Sequence, residues 1–383
     1  MSHAVFEPIL SQLIEIRHAL HRIPEIGLAE EKTSAFIAAR LEDWGYVVHR
    51  NIARTGIVAT LERGGRKDAI GFRADFDALP MPEETGLAYA SEHPGVMHAC
   101  GHDGHTSMLL GAAWALSRDS SFSGTVHFIF QPAEENLGGA QLMIEDGLFE
   151  RFPCAKIFAL HNLPGLEAGT FATRSGPIAA SIDVVTVIVK GKGGHGALPE
   201  TTVDPVVVGS SIVMALQTLV SRNVSPHQAA VVTVGSFVSG SACNIIPETA
   251  VLELSMRATN AAVRDELRQR IEEVATFQAK SYNAQVSFTW KVGYPATIND
   301  DAAVQVAVAS IKRHFGEGAV SQLAVPMMFS EDFSFMLNKV PGAYVLIGNG
   351  DSSGLHSTTY DFNDDILVRG AAFFYNLAKD YFA

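Results

Sequence analysis

A chain of 383 residues is longer than one hydrophobic core ordinarily serves, so two domains are expected. Its 47% hydrophobic and 18% charged composition is that of an ordinary globular protein, and no apolar run reads as long enough to cross a bilayer. A net charge of -13 argues against a nucleic-acid partner, because phosphate backbones are bound by clustered Lys and Arg that this chain lacks.

From residue 8 to about 45 the pattern is helical. Ile9, Leu13, Ile16 and Leu20 recur at helical spacing, Pro24 breaks the run, and TSAFIAARLEDWGY continues it. The first twenty residues, interrupted by Glu7, Glu15 and Arg17, read as an amphipathic helix and not as a signal peptide, so a cytoplasmic location is expected. YVVHR, GIVATLE and AIGFRADFD follow as strands, the last one mostly apolar and ending in Asp75 and Asp77. HTSMLLGAAWALS predicts a helix. TVHFIFQPAEEN predicts a buried strand terminating in Glu134 and Glu135, and KIFALHN one ending in His161. Between 181 and 293 the order becomes β-α-β-β-α-β, a ferredoxin-like arrangement of a length that suits an inserted domain. Residues 294–383 return to the first domain with a helix at DAAVQVAVASIKRHFG, the strand AYVLIGNG, a loop carrying His356 and a closing helix. The expected division is thus 1–180 with 294–383, and 181–293. The expected fold class is α/β, a mainly parallel sheet with an inserted α+β domain.

The densest chemistry lies in His98-Ala99-Cys100-Gly101-His102-Asp103-Gly104-His105. Thiolate and imidazole are the usual ligands of zinc and its neighbours, and Gly101 and Gly104 allow a tight turn around one ion. Those residues supply too few ligands alone. Strand after strand ends in an acid or a histidine, and open α/β sheets gather ligands beyond the carboxyl ends of their strands. Asp75, Asp77, Glu134, Glu135, His161 and His356 are therefore expected to converge with Cys100 and His102. Plainer readings apply elsewhere. His98 and His105 are expected to orient ligands or cap the helix as readily as to bind metal, and His127 to be structural. Arg73 pairs with Asp75, Ser330 caps a helix that opens with Glu331 and Asp332, and Cys154 and Cys243 are small buried residues. The three cysteines are odd in number and far apart, which is no disulfide framework and fits a reducing compartment.

HRIPEIG, FRADFDALP, MHACGHDGHTSMLLGAA, FQPAEEN, ALHNLPG, GKGGHGALP, NIIPETA, MFSEDFSF and GLHSTTYDFND run in order along nearly the whole chain. With them the sequence resembles the hippurate hydrolase, aminoacylase and auxin-conjugate hydrolase group of metal-dependent amidohydrolases, relatives of dinuclear-metal exopeptidases. The resemblance implies a zinc-exopeptidase-like domain with two divalent metal ions held by Cys100, His102, Glu135, His161 and His356. It implies Glu134 as the catalytic carboxylate and Asp77 as an aspartate near the metals. It makes the inserted domain a lid and dimerisation module whose His195 reaches the partner subunit's site, with Asn244 and Arg257 holding substrate.

The implied reaction is hydrolysis of the amide of an N-acyl-amino acid to a carboxylic acid and a free amino acid. Amide hydrolysis needs a strong nucleophile, and a metal lowers the pKa of its water from about 15.7 to about 7. A carboxylate then carries the proton to the leaving amine, which suits Glu134, and His195 is a plausible donor to the oxyanion. On a strand, Glu134 and Glu135 would point to opposite sides and divide the tasks of base and ligand. Zinc or manganese is expected, with cobalt or nickel compatible. The chain departs from its relatives at Pro199-Glu200 and at Leu254-Ser255-Met256-Arg257, both on the substrate side. A dipeptidase, a carbamoyl-amino-acid hydrolase and a non-catalytic metal-binding protein are the alternatives.

Overall fold

The computed structural model describes residues 3–66 and 68–383. Met1 and Ser2, which begin the expected amphipathic stretch, and Lys67 lie outside the described residues. The chain forms two compact units. One takes the described chain up to Gly176 with Ile298–Ala324 and Asp332–Ala383, the other Pro177–Thr297 with Val325–Glu331. The last segment was expected with the first domain. It belongs to the second because Met327 N–H donates to the Ile178 carbonyl at 2.8 Å and Ala180 N–H to the Phe329 carbonyl at 2.9 Å, pairings between distant parts of the chain.

The first unit is built on an eight-stranded sheet. Its order is Val47–Ile52, Gly56–Arg63, Gly124–Gln131, Ala69–Asp75, Lys156–Pro164, Gly342–Gly350, Phe171–Thr173, Val320–Gln322. The four middle strands from Gly124–Gln131 to Gly342–Gly350 run parallel, while Gly56–Arg63 and Val47–Ile52 add antiparallel at one side. Every residue of Ala69–Asp75 is buried, as a central parallel strand covered on both faces requires. Phe72 is packed by Phe374 with ring centres 5.1 Å apart and by Phe128 at 6.2 Å. The helix His102–Ser117 packs directly on the closing helix Leu367–Tyr381, where a methyl group on Gly370 would overlap Met108 Sδ.

Three local expectations fail. The strand Gly124–Gln131 stops before the two glutamates, because Ala133 turns into the left-handed region (φ 54°, ψ 41°) and Glu134–Leu137 begin a short helix. The two side chains therefore leave a helical turn, not opposite faces of a strand. His161 lies within Lys156–Pro164, paired with Leu346, because the buried strand runs on past it. Asp332, not Ser330, stands at the N-cap of Phe333–Leu337, and it makes no capping bond there.

In the second unit the four strands order as Ala230–Ser239, Thr249–Ala258, Asp183–Lys190, Gln285–Val292, all antiparallel. Val185, Val187 and Val189 are buried, and the residues between them are less so, the alternation of a sheet covered on one face. The cover is Pro205–Thr218, capped by Asp204, and Ala261–Ser281, capped by Asn260. Pro205–Asn223 is, contrary to expectation, long and apolar enough to cross a bilayer by length and composition. It instead buries Val208, Ile212, Leu216 and Leu219 in this unit's core.

Candidate metal centre

Gly101 (φ 88°) makes the left-handed step that starts the helix at His102. A side chain there would stand 2.6 Å from Asn162 Oδ1 and 2.7 Å from Tyr360 Oη. The turn places Cys100 and His102 side by side, both buried. His102 Nδ1 lies 2.9 Å from the Asp77 carbonyl, which can only accept, so Nδ1 carries a proton and Nε2 is the nitrogen turned toward the other donors. That Nε2 is 3.9 Å from Glu135 Oε1. Both atoms are buried, and among the described residues neither has a hydrogen-bond partner.

His161 repeats the arrangement. Its Nδ1 donates to the Asn162 carbonyl at 2.7 Å, and its Nε2 lies 3.5 Å from Cys100 Sγ. His356, in the loop after Gly342–Gly350, brings Nε2 to 3.3 Å from Glu135 Oε1. Its backbone is left-handed (φ 62°), and its N–H donates to the Ala99 carbonyl at 2.8 Å. Glu135 thus stands between His102 and His356. One ligand atom each from Cys100, His102 and Glu135 lie within 4.8 Å of one another.

Without a cation this grouping is costly. Burial pushes the Cys100 thiol well above its ordinary range and the Glu135 charge pushes further, while burial and then His105 hold His161 well below its own. A buried thiol, imidazoles whose Nδ1 atoms are held by backbone carbonyls so that Nε2 faces the group, and a carboxylate oxygen between two of those rings fit a divalent metal of the zinc class.

Around the donors lies a shell of orienting groups. Asp77 faces His102 Nδ1 with Oδ1 at 3.2 Å and accepts the Glu135 N–H on Oδ2 at 3.0 Å. Asp75 is engaged by Arg73 Nη1 at 2.7 Å and His105 Nδ1 at 2.6 Å. Burial opposes its charge, but Arg73 and then the histidines hold it well below the usual carboxylate range. His105 Nε2 lies 2.7 Å from Asn162 Oδ1, so this ring has no free nitrogen to offer. His98 is different, because among the described residues neither of its buried ring nitrogens has a hydrogen-bond partner, and burial drops it to about 4. His127 is structural, with Nδ1 2.9 Å from Thr60 Oγ1.

Glu134 is buried next to Asp332, whose N–H points to its Oε1 at 3.4 Å. The sequence places Asp332 as an acid in the first turn of a helix capped by Ser330. Its carboxylate instead accepts from Arg73 Nη2 at 3.0 Å, Gln131 Nε2 at 2.8 Å and the Ala140 N–H at 2.9 Å. Gln131 and Asn162 were missed as well. Asn162 adjoins His161 inside a quoted motif, and Gln131 lies in the same motif as Glu134, three residues before it; those positions were the signal available.

Within the second unit, His195 lies on the short strand Gly194–His195, which pairs with Ile245–Ile246, and its Nδ1 accepts the Ala197 N–H at 3.0 Å. Asn244 is its neighbour there, the Gly196 N–H donating to its carbonyl at 2.8 Å. Arg257 is half-buried and donates to the Met328 carbonyl at 2.9 Å. Cys154 is only partly buried and Cys243 is exposed, because the latter falls in the loop before Ile245 and not in a core element.

A mainly parallel α/β sheet whose connections bring a thiol, imidazoles and a carboxylate together defines a metallohydrolase. Residues 71–380 match the sequence profile of Peptidase family M20/M25/M40, and the chain belongs to that family. It is 41% identical over 367 residues to a hippurate hydrolase from Campylobacter jejuni, covering 96% of each chain. It is 37% identical to an N-acetyl-L-cysteine deacetylase from Bacillus subtilis, over 96% of this chain and 88% of that one. A solved dinuclear metal binding peptidase of the M20 family from Bacillus subtilis superposes with a TM-score of 0.85 at 31% identity, over 97% of this chain and 98% of that one.

Proposed function

We propose that this enzyme hydrolyses the amide bond of N-acyl-amino acids, releasing a carboxylic acid and a free amino acid. The observation that carries the reading is the buried approach of His102 Nε2 to Glu135 Oε1 at 3.9 Å, with His356 Nε2 3.3 Å from the same oxygen and the buried Glu134 preceding Glu135 in the chain. The hippurate hydrolase and the N-acetyl-L-cysteine deacetylase support the substrate class, since each is named for an acylated amino acid.

Cys100, His102, Glu135, His161 and His356 would hold two divalent ions, with Glu135 between the two groups. Zinc or manganese suits a set of one thiol, imidazoles and carboxylate, and cobalt or nickel is tolerated. Bound there, such ions supply Lewis acidity and make water nucleophilic at neutral pH. Asp77 fixes the His102 tautomer and orients the Glu135 backbone, so both ligands meet the ions preorganised. Glu134 takes the proton of the attacking water and returns it to the departing amine nitrogen.

The second unit acts as lid and dimerisation module in this reading. Ala230–Ser239 is an edge strand, with Val238 65% exposed, and the helix beside it leaves Met214 71% exposed. His195, Asn244 and Arg257 serve the substrate, His195 across to the partner subunit. A cytoplasmic location accords with three free cysteines.

Glu134→Gln is the test. Turnover should vanish while metal content, measured by elemental analysis, stays at the wild-type level; retained activity would sink the mechanism. A panel of acyl, peptidyl and carbamoyl amino acids on metal-loaded protein separates this activity from a dipeptidase or a carbamoylase. Met214→Asp, followed by sedimentation, should shift the oligomer toward monomer.

A further inference from the structure

The HRIPEIG stretch and the acids that follow it carry no role in the chemistry above, yet one of them reaches beneath the two glutamates. Glu30, just before the helix Glu31–Asp43, is fully buried. Oε1 accepts the Ala133 N–H at 2.9 Å, and Oε2 accepts the Thr55 hydroxyl at 2.7 Å. The supports are themselves fixed, with the Ser34 N–H on the Glu30 carbonyl at 2.9 Å and Ser34 Oγ on the Thr55 carbonyl at 2.6 Å.

Ala133 is the residue on which the direction of Glu134 and Glu135 turns. Its left-handed backbone (φ 54°, ψ 41°) is unfavourable for a residue with a Cβ and persists only where neighbours enforce it. Glu30 holds its N–H, and the Gly139 N–H holds its carbonyl at 3.0 Å. Gly27 leaves room for its methyl, since a side chain at Gly27 would stand 2.9 Å from Ala133 Cβ. If Ala133 relaxed to an extended backbone, the strand would run on and both carboxylates would leave it in other directions.

We propose that Glu30 is a positioning residue for Glu134 and Glu135. Its buried carboxylate clamps the Ala133 N–H, holds the left-handed turn and so aims the base and the ligand that follow. The functional part of this rests on the roles assigned to Glu134 and Glu135 above. The clamp itself rests on Glu30, Thr55 and Ala133.

The test uses the full chain with zinc supplied, and compares Glu30→Met, Glu30→Gln and Glu30→Met with Ala133→Gly. Three quantities are read: kcat and KM on an acylated amino acid, zinc affinity by chelator competition, and hydrogen exchange of the peptide spanning 131–137. Glu30→Met should lower kcat about thirtyfold or more with KM nearly unchanged, as expected for a misplaced reacting group. Zinc should bind about tenfold more weakly, the usual size of a lost orienting contact. Exchange across 131–137 should speed up. Glu30→Gln keeps an oxygen for the Ala133 N–H and should restore all three. Ala133→Gly makes the left-handed turn intrinsically accessible and should recover part of the kcat lost by Glu30→Met.

Unchanged exchange and kcat in folded Glu30→Met overturn the clamp, as does a Glu30→Gln protein as impaired as Glu30→Met. Faster exchange with unchanged kcat and zinc affinity overturns instead the roles given to Glu134 and Glu135. Should Glu30→Met not fold, Thr55→Val decides, because it removes only the hydroxyl on the far oxygen. Faster exchange and lower kcat in that variant sustain the clamp, and wild-type values overturn it.

Discussion

His21 Nδ1 lies 2.8 Å from Asp103 Oδ2, an ion pair closed to solvent and set one residue beyond His102. Glu83 faces the other ring nitrogen at 3.3 Å, and Arg17 Nη1 approaches the same Asp103 oxygen at 3.5 Å. Burial opposes charge on His21, but Asp103 and Glu83 outweigh it and raise the imidazole to about 9. A raised histidine contributes stability that is complete below its unfolded value and lost as pH rises through the folded one. The first unit should therefore weaken between pH 6.5 and 9 by on the order of 2–3 kcal/mol from this pair. Denaturant unfolding of wild type and His21→Asn at both ends of that window checks it, since the variant should lack this part of the slope.

Glu30 titrates with the opposite chemistry and the same sign. Burial pushes it up to about 7, against the hydrogen bonds from Thr55, its own backbone and Ala133, and with Asp77 as the facing charge. An acid raised in the folded state favours folding below its unfolded value near 4.5 and loses that advantage as pH climbs to about 7. The melting temperature of wild type should fall relative to Glu30→Gln between pH 5 and 8. A constant difference across that range would refute the burial effect.

Asp77→Asn should weaken metal binding by about 10–100-fold, because the amide cannot accept the Glu135 N–H and the His102 Nδ1–H on equal terms. The Asp77 carbonyl still fixes the His102 tautomer, so binding should be impaired and not abolished. Chelator competition on the variant measures this directly.

Gly139→Ala should damage the glutamate turn from its far side. A methyl there would overlap the Pro132 carbonyl oxygen, which is backbone and has little freedom to yield. A loss of about 1–3 kcal/mol and a fall in kcat are expected. Gly318→Ala, where among the described residues the added methyl would meet nothing within 4 Å beyond its chain neighbours, is the control and should leave both unchanged.

The parts visible in the sequence were those written in local periodicity. Apolar runs marked the middle strands, the β-α-β-β-α-β order marked the second unit, and Cys100-Gly101-His102 marked part of the group that the fold brings together with Glu135. What escaped depended on residues without a local signature. Alanine carries no hint of a positive φ, so the turn at Ala133 that moves Glu134 and Glu135 onto a helix was invisible. Asp332 read as a helix-terminal acid because its partners, Arg73 and Gln131, lie 259 and 201 residues away along the chain. His161 was set at a strand end because nothing in KIFALHN shows that the neighbouring strand continues to Gly350.

The contact between His102–Ser117 and Leu367–Tyr381 has a consequence for synthesis. The helix that opens with His102 rests on a helix, Leu367–Tyr381, that leaves the ribosome long after it, and His356 emerges only shortly before that partner. The second unit draws most of its residues from the continuous stretch Pro177–Thr297 and can assemble while translation continues. The first unit cannot close its core until Leu367–Tyr381 has left the ribosome, so a chain stalled short of that helix would carry a second unit able to fold and a first one unable to.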